Sequence, residues 1–371
     1  MPPPADSEKA VGYSSKALGW QPVLLNPRGL TAQPPQRLTP EGMRYLITGG
    51  AGFIGSHLAD LLLSRGNEVH ALDNLSTGRL ANVRHLSNNS RFELTTGSIL
   101  DEDLVEKCVG DCDYVVHFAA AVGVKLIMEN PVETIITNVR GTEHVLEAAS
   151  RHDKPTLVAS TSEVYGKING NEGTTGALRE DSDWQLGPTS RRRWAYACSK
   201  AMDEFLSLAY FEEKRLPVIV TRFFNTVGPR QTGAYGMVVP RFVEKALLNE
   251  PIVVHGDGEQ TRCFNHVADC VSSVAALMHA PGACGRVFNV GNNEEITMNS
   301  LALRVSELAD STSEVVHVPY DSVYPHGFED MRRRTPDLSL IRSMIDCAPQ
   351  HDIDSIIADV VDYYRHGDIA G

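Results

Sequence analysis

The stretch Met43-Arg-Tyr-Leu-Ile-Thr-Gly-Gly-Ala-Gly-Phe-Ile-Gly55 constrains the fold of this chain more than any other. Its apolar start suits a strand buried on both faces. Glycines then fall at Gly49, Gly52 and Gly55, and an amphipathic helical pattern follows at Phe53, Ile54, Leu58, Leu61 and Leu62. A glycine turn between strand and helix lets backbone N–H groups approach a pyrophosphate at the positive end of the helix dipole. A second strand, Glu68–Leu72, ends in Asp73, at the separation expected of an acid that binds a ribose 2′-hydroxyl. Asp73 would repel a 2′-phosphate, so the pattern selects NAD over NADP.

The 371 residues suffice for one large domain or two interlocked ones. A net charge of −13 offers no basic face to nucleic acid, although a small anionic substrate needs only a few local cations. Among the seven cysteines only Cys108 and Cys112 lie close together, without the further ligands of a zinc site. No metal is expected, and the thiols read as the reduced cysteines of a cytoplasmic protein. No apolar run approaches membrane-spanning length. Residues 1–41 hold eight prolines and no periodicity, and read as a flexible tail without the marks of a signal peptide.

From residue 43 strand and helix patterns alternate, as an α/β fold with a Rossmann-type, doubly wound parallel sheet requires. Strands are expected at Tyr45–Thr48, Glu68–Leu72, Phe92–Thr95, Tyr114–Phe118, Thr156–Ser160 and Val218–Thr221. Helices are expected near Phe53–Ser64, Leu100–Cys108, Pro131–Arg151 and Ala195–Lys214. The fourth strand runs into Ala119, Ala120 and Ala121, small residues that leave room for a cofactor at the carboxyl end of the sheet. Beyond it, Pro229, Gly233, Gly236 and Pro240 interrupt the pattern before a helix at Arg241–Leu248. A strand at Ile252–His255, a helix near Val267–His279, a strand at Val287–Val290 and a helix at Ser300–Ala309 complete a smaller, interwoven α/β lobe. Residues 42–223 are thus read as the dinucleotide-binding domain, with 258–282 packing back on it, and 224–371 mainly as a substrate lobe.

Tyr196 and Lys200 stand four apart in a helical pattern and share one face. A tyrosine ionises near pH ~10, too high for a base at neutral pH, and a neighbouring lysine cation with an oxidised nicotinamide lowers it. Ser160-Thr-Ser-Glu-Val-Tyr-Gly166 follows a buried strand and opens its hydroxyls onto the same crevice.

The Gly-x-x-Gly-x-x-Gly turn, the hydroxyl after the fifth strand and Tyr196-x-x-x-Lys200 resemble the extended short-chain dehydrogenase/reductase superfamily, over roughly residues 43–345. The resemblance implies an NAD enzyme acting on nucleotide sugars, with Thr161 as hydroxyl partner of the substrate, Tyr196 as base and Lys200 on the nicotinamide ribose. It places the cofactor against Gly49, Gly52, Phe53, Ile54, Gly55, Asp73, Asn74, Ser98, Ile99, Ala119 and Ala120. Ser98 stands where many relatives have an aspartate, which implies weaker adenine recognition. Asn225-Thr-Val-Gly-Pro-Arg230, Val239 and Gly256-Asp-Gly-Glu-Gln-Thr-Arg262 are similar to the family's nucleotide-diphosphate contacts. Thr161-Ser162-Glu163, Arg193-Trp-x-Tyr196 and Arg334-Thr-Pro-Asp337 resemble the UDP-glucuronate decarboxylases, including UDP-xylose and UDP-apiose/xylose synthases and the lipid A-modifying decarboxylase. That implies Ser162, Glu163 and Arg334 at the reacting carboxylate, and a homodimer. A 4-epimerase, a 4,6-dehydratase and an NAD-sensing regulator remain as alternatives. Arg191–Arg193 read as a surface run, with no site role for Arg191 or Arg192, His57 and His117 read as packed or exposed, and Cys198 as packed.

Overall fold

The computed structural model describes residues 42–123, 129–167, 176–233, 237–323 and 332–366, and the Pro-rich stretch lies outside them. Residues Arg37–Gly371 form one compact unit. The main sheet has seven parallel strands: β1 (Arg44–Thr48), β2 (Glu68–Asp73), β3 (Phe92–Thr96), β4 (Tyr114–His117), β5 (Thr156–Thr161), β6 (Val218–Phe223) and β11 (Arg286–Val290). Their order is β3-β2-β1-β4-β5-β6-β11, so the winding reverses between β1 and β4. A crevice opens there at the carboxyl ends of the strands.

Helices cover both faces of the sheet. α1 (Phe53–Ser64) buries Leu58, Ala59, Leu62 and Leu63, spaced for one helical face. It shares a core with Val267, Val271 and Val274 of the helix Val267–Leu277. On the opposite face α2 (Glu102–Gly110) and α3 (Pro131–Arg151) bury Val105, Val109, Val145 and Leu146. α4 (Trp194–Lys214) lies beside α3.

Short ribbons pair β7 (Thr226–Val227) with β10 (Asn265–His266), β8 (Ile252–His255) with β13 (Val315–Val318), and β9 (Thr261–Cys263) with β12 (Glu295–Thr297). The helix Val267–Leu277 is α6, and a second core joins α5 (Val238–Leu247), α7 (Met298–Leu308) and α8 (Ile353–His366) through Val239, Phe242, Leu301, Val305, Ile356 and Val360.

Several boundaries differ from expectation for local reasons. α5 begins at Val238, ahead of Pro240, which was read as a breaker. Within the first turn a proline loses no hydrogen bond, since its N–H would have no partner there. α7 begins at Met298 because the Thr297 side chain accepts from Ser300 N–H and caps the helix early. α2 begins at Glu102 because Asp101 caps it through Leu104 N–H.

Candidate active site

One cavity of about 660 Å³ lies at the switch between β1 and β4. Of the site residues expected from the sequence, all but Ser98 line it. Ser98 instead turns its Oγ to accept the Leu100 N–H at 3.1 Å, where it serves the approach to α2.

The glycine turn forms the first wall. Gly49 has φ +72°, and a side chain there would press 2.9 Å from Ala119 N. A Cβ on Gly55 would stand 2.2 Å from Gly49 O, so helix and turn could not approach as they do. No side chain caps α1, whose first residues Phe53 and Ile54 line the cavity. Their N–H groups are therefore left for an anion. Asp73, buried at the end of β2, accepts from Ala51 N–H at 2.9 Å and Leu75 N–H at 2.8 Å. Burial raises its carboxyl pKa while these backbone bonds oppose the rise. A helix N-terminus for a pyrophosphate and a fixed carboxylate for ribose hydroxyls fit NAD. Asp73→Ala should weaken NAD binding by about 10- to 100-fold, the worth of a charged hydrogen bond, and narrow the preference over NADP. Calorimetry with both nucleotides checks this, and an unchanged preference would contradict the role given to Asp73.

The second wall carries the reacting groups. β5 ends at Thr161, and a tight turn over Ser162–Tyr165 follows, in which Thr161 Oγ1 accepts from Glu163 N–H at 3.2 Å. The Thr161 hydroxyl also lies beside Tyr196 on the first turn of α4, close enough to stabilise its phenolate. Burial raises the Tyr196 pKa above its ordinary value, the charges of Glu163 and Asp203 add to the rise, and the Thr161 hydroxyl opposes it. The direction is opposite to that expected from the Tyr196/Lys200 spacing. Burial is the main cause, and Asp203, whose Oδ2 takes the Lys200 Nζ at 2.7 Å with both groups buried, compensates the lysine charge one turn away.

Asp203 opens a buried polar chain. It lies beside Thr142, whose Oγ1 lies 3.1 Å from His117 Nε2, and His117 Nδ1 lies 2.8 Å from Thr48 Oγ1. Thr48 in turn accepts from Ala119 N–H at 3.2 Å. Burial and the Lys200 charge push His117 down to about 3, so it stays neutral and bridges two hydroxyls. His57, by contrast, packs against the neighbouring loop with its Nε2 2.9 Å from Pro229 O. Cys198 is exposed, contrary to the packed position expected of it.

Glu163 closes the site. Arg334 donates to its Oε1, and Arg193 Nη2 lies 3.4 Å from its Oε2. Burial favours the neutral acid most strongly, but Arg334 and Arg193 together outweigh it and hold the carboxyl below its usual range. Arg334 also donates to Asn225 Oδ1 at 3.3 Å, and Asn225 Nδ2 donates to Cys263 O at 2.8 Å. In the run Arg332-Arg-Arg334, Arg332 pairs with Asp257 and Arg333 with Glu295 at the surface, so Arg334 is the member that faces the cavity. Arg230 pairs with Asp60 of α1 at 2.7 Å, Arg262 Nη1 donates to Thr261 O at 2.7 Å, and Val239 is fully buried in the wall. Arg193, Asp203 and Thr142 were not picked out as site residues. The usable signal was spacing, since Arg193 stands three before Tyr196 and Asp203 three after Lys200.

Residues 46–360 match the family described as GDP-mannose 4,6 dehydratase. The chain is 40% identical over 323 residues to a UDP-N-acetyl-alpha-D-glucosaminuronate decarboxylase of Bacillus cytotoxicus, covering 87% of this chain and 98% of that one. It is 35% identical over 339 residues to UDP-glucuronic acid decarboxylase 1 of Arabidopsis thaliana, covering 91% and 73%. Its fold is similar to that of a UDP-glucuronic acid 4-epimerase from Bacillus cereus in complex with UDP-glucuronic acid and NAD, with a TM-score of 0.77, 26% identity, and coverage of 87% and 99%. The glycine turn, Asp73 and the Thr161–Tyr196–Lys200 set lie within the matched span, and the chain belongs to this family of NAD-dependent nucleotide-sugar enzymes, the extended short-chain dehydrogenases/reductases.

Proposed function

We propose that the protein decarboxylates a UDP-linked hexuronate, with UDP-glucuronate as reference substrate and UDP-xylose or its 4-keto form as product. The observation that carries this reading is Glu163 held between Arg334 and Arg193 beside the Thr161–Tyr196 pair. Two guanidinium groups around one carboxylate leave a local positive charge, and Arg262 adds to it. A site so charged, next to a base for a hydroxyl, suits a sugar that carries a carboxylate.

Tyr196, beside Thr161, takes the proton of the C4 hydroxyl. The Gly49–Gly55 turn, Asp73 and Lys200 would hold NAD, which would supply the hydride acceptor for C4 and the hydride that is later returned. Once C4 is a ketone, the carboxylate on C5 lies β to it. The C5–C6 bond then breaks, carbon dioxide leaves, and the electron pair passes into an enolate whose oxygen faces Thr161 and Tyr196. Arg334 and Arg193 orient the carboxylate before it leaves, and C5 takes its proton from solvent water positioned by the ionised Glu163 carboxylate.

UDP-glucuronate and UDP-N-acetylglucosaminuronate share the hydroxyl and the carboxylate that this site reads, so both belong in the test. Incubation of the enzyme and NAD with each, and with UDP-glucose and GDP-mannose, should release carbon dioxide from the uronates only, with pentose products identified by NMR. Dehydration of GDP-mannose without any decarboxylation would overturn the reading.

The division into a dinucleotide-binding part up to about residue 223 and a sugar-nucleotide part beyond it is part of this proposal. So is a homodimer. Val132, Ile135 and Ile136 of α3 and Met202 and Phe205 of α4 are exposed apolar residues on adjacent helices. Such a patch suits a two-fold pairing of these helices. Light scattering at micromolar concentration should give the mass of a dimer, and a monomer would contradict it. All seven cysteines are free thiols, which supports a reducing, cytoplasmic setting. Among the described residues no helix is long and apolar enough to cross a membrane.

A further inference from the structure

Asn289 lies in β11, fully buried and away from the cavity wall. β11 is an edge strand, and an edge leaves one row of backbone groups without a neighbouring strand. Two chain segments meet at this edge. Leu178 N–H donates to Thr335 O, and Asp337 N–H donates to Leu178 O, each at 2.8 Å. The Asn289 side chain ties them together: Nδ2 donates to Leu178 O at 2.8 Å and to Asp337 O at 3.1 Å. Its backbone N–H donates to Glu180 Oε1 at 2.8 Å.

The other end of the amide reaches the second half of the site. Asn289 Oδ1 accepts from the Tyr165 hydroxyl at 2.7 Å. Burial pushes Tyr165 up to about 12, so the hydroxyl keeps its proton and donates. Two carbonyls on one side and a hydroxyl donor on the other admit only one orientation of the amide. Tyr165 closes the turn that carries Glu163, and Asp337 follows Arg334 on its segment. One buried side chain is thus bonded to both backbones whose side chains meet as the Glu163–Arg334 pair.

We propose that Asn289 is a positioning residue that sets the register of Arg334 against Glu163, and through it the site for the substrate carboxylate. The proposal rests on the reading of that pair as the carboxylate site. NAD and the C4 hydroxyl do not depend on this register, because the glycine turn, Thr161 and Tyr196 make no bond to Asn289. Loss of Asn289 should therefore affect uronates and spare neutral sugars.

The test compares UDP-glucuronate with UDP-glucose, by calorimetry on the NAD-loaded full chain, for wild type, Asn289→Ala and Tyr165→Phe. A misplaced catalytic pair of this kind is worth about 10- to 100-fold, and Asn289→Ala should lose that much preference for UDP-glucuronate while its affinity for UDP-glucose holds within about threefold. Tyr165→Phe removes one bond of the amide and should move the preference in the same direction by a smaller factor. In a single turnover with UDP-glucuronate, the carbon dioxide released per nicotinamide reduced should fall with the same ranking. Equal losses for both sugars, or an unchanged preference in both variants, would overturn the proposal. If Asn289→Ala does not fold, Tyr165→Phe decides alone. A wild-type enzyme with no preference for UDP-glucuronate contradicts the carboxylate site itself, and this proposal with it, before any variant is made.

Discussion

Tyr196→Phe should abolish turnover and leave NAD bound. The substitution deletes one hydroxyl, the proton acceptor for the sugar, and leaves the glycine turn and Asp73 untouched. A positioned base contributes about 10²- to 10⁴-fold, so the loss should reach the upper part of that range where no other group can take the proton. Calorimetric NAD titration and a steady-state assay on the same preparation separate the two effects. A folded Tyr196→Phe enzyme within about tenfold of wild type would remove Tyr196 from the base role. The pH dependence has a definite sign. The base form is the phenolate, and burial with Glu163 and Asp203 raises the Tyr196 pKa, so activity should climb as the pH rises. Removing the negative charge of Glu163 lowers that pKa, and the acid limb of the profile for nicotinamide reduction should then move to lower pH.

Glu163→Gln should uncouple the two halves of the reaction. Oxidation at C4 uses Thr161, Tyr196 and Lys200, whereas loss of the carboxylate and protonation of C5 come later. Glutamine keeps the shape and removes the charge that positions the water from which C5 takes its proton. Reduced nicotinamide should therefore accumulate on the enzyme with UDP-glucuronate, while carbon dioxide release falls by about 100-fold or more, as for a lost proton-transfer group. Affinity for the uronate should hold or improve, because Glu163 no longer competes for Arg334 and Arg193. Carbon dioxide release at the wild-type rate would show that Glu163 has no part in the later steps.

Local signals in the sequence led reliably to local structure. Phe53–Ser64 and Pro131–Arg151 are helices with the expected bounds, since each has an unbroken apolar face and a clear start. Asp73 could be placed because strand, turn and acid lie within one short unit. The parallel pairing of β8 with β13 joins residues some sixty positions apart, and no local pattern announces it. The helix Ile353–His366 was not assigned, although its apolar residues Ile356, Ile357, Val360 and Val361 have helical spacing. Its place in the second core, against α5 and α7, depends on contacts distant in sequence.

The site divides in the same way. Tyr196, Lys200 and Thr161 could be placed on one cavity because helix spacing and a strand end bring them there, while the roles proposed for them come from the resemblance. Which arginine of Arg332-Arg-Arg334 turns inward depends on Asp257 and Glu295, which capture the other two. Charge alone cannot distinguish neighbours in such a run. Burial of Tyr196 is what reverses its expected direction, and no spacing reveals that burial or the Asp203 carboxylate that pairs with Lys200. The His117–Thr142 link is a tertiary contact between β4 and α3, and neither residue alone suggests a polar chain.

The most direct test of the central claim follows a single carbon. UDP-glucuronate labelled with carbon-13 at the carboxylate, incubated with enzyme and NAD and followed by carbon NMR, should lose the labelled signal from the sugar and gain it as carbon dioxide and bicarbonate, as an unlabelled UDP-pentose or 4-keto pentose appears. Retention of the label in a UDP-hexuronate inverted at C4 would contradict decarboxylation and make the enzyme a 4-epimerase.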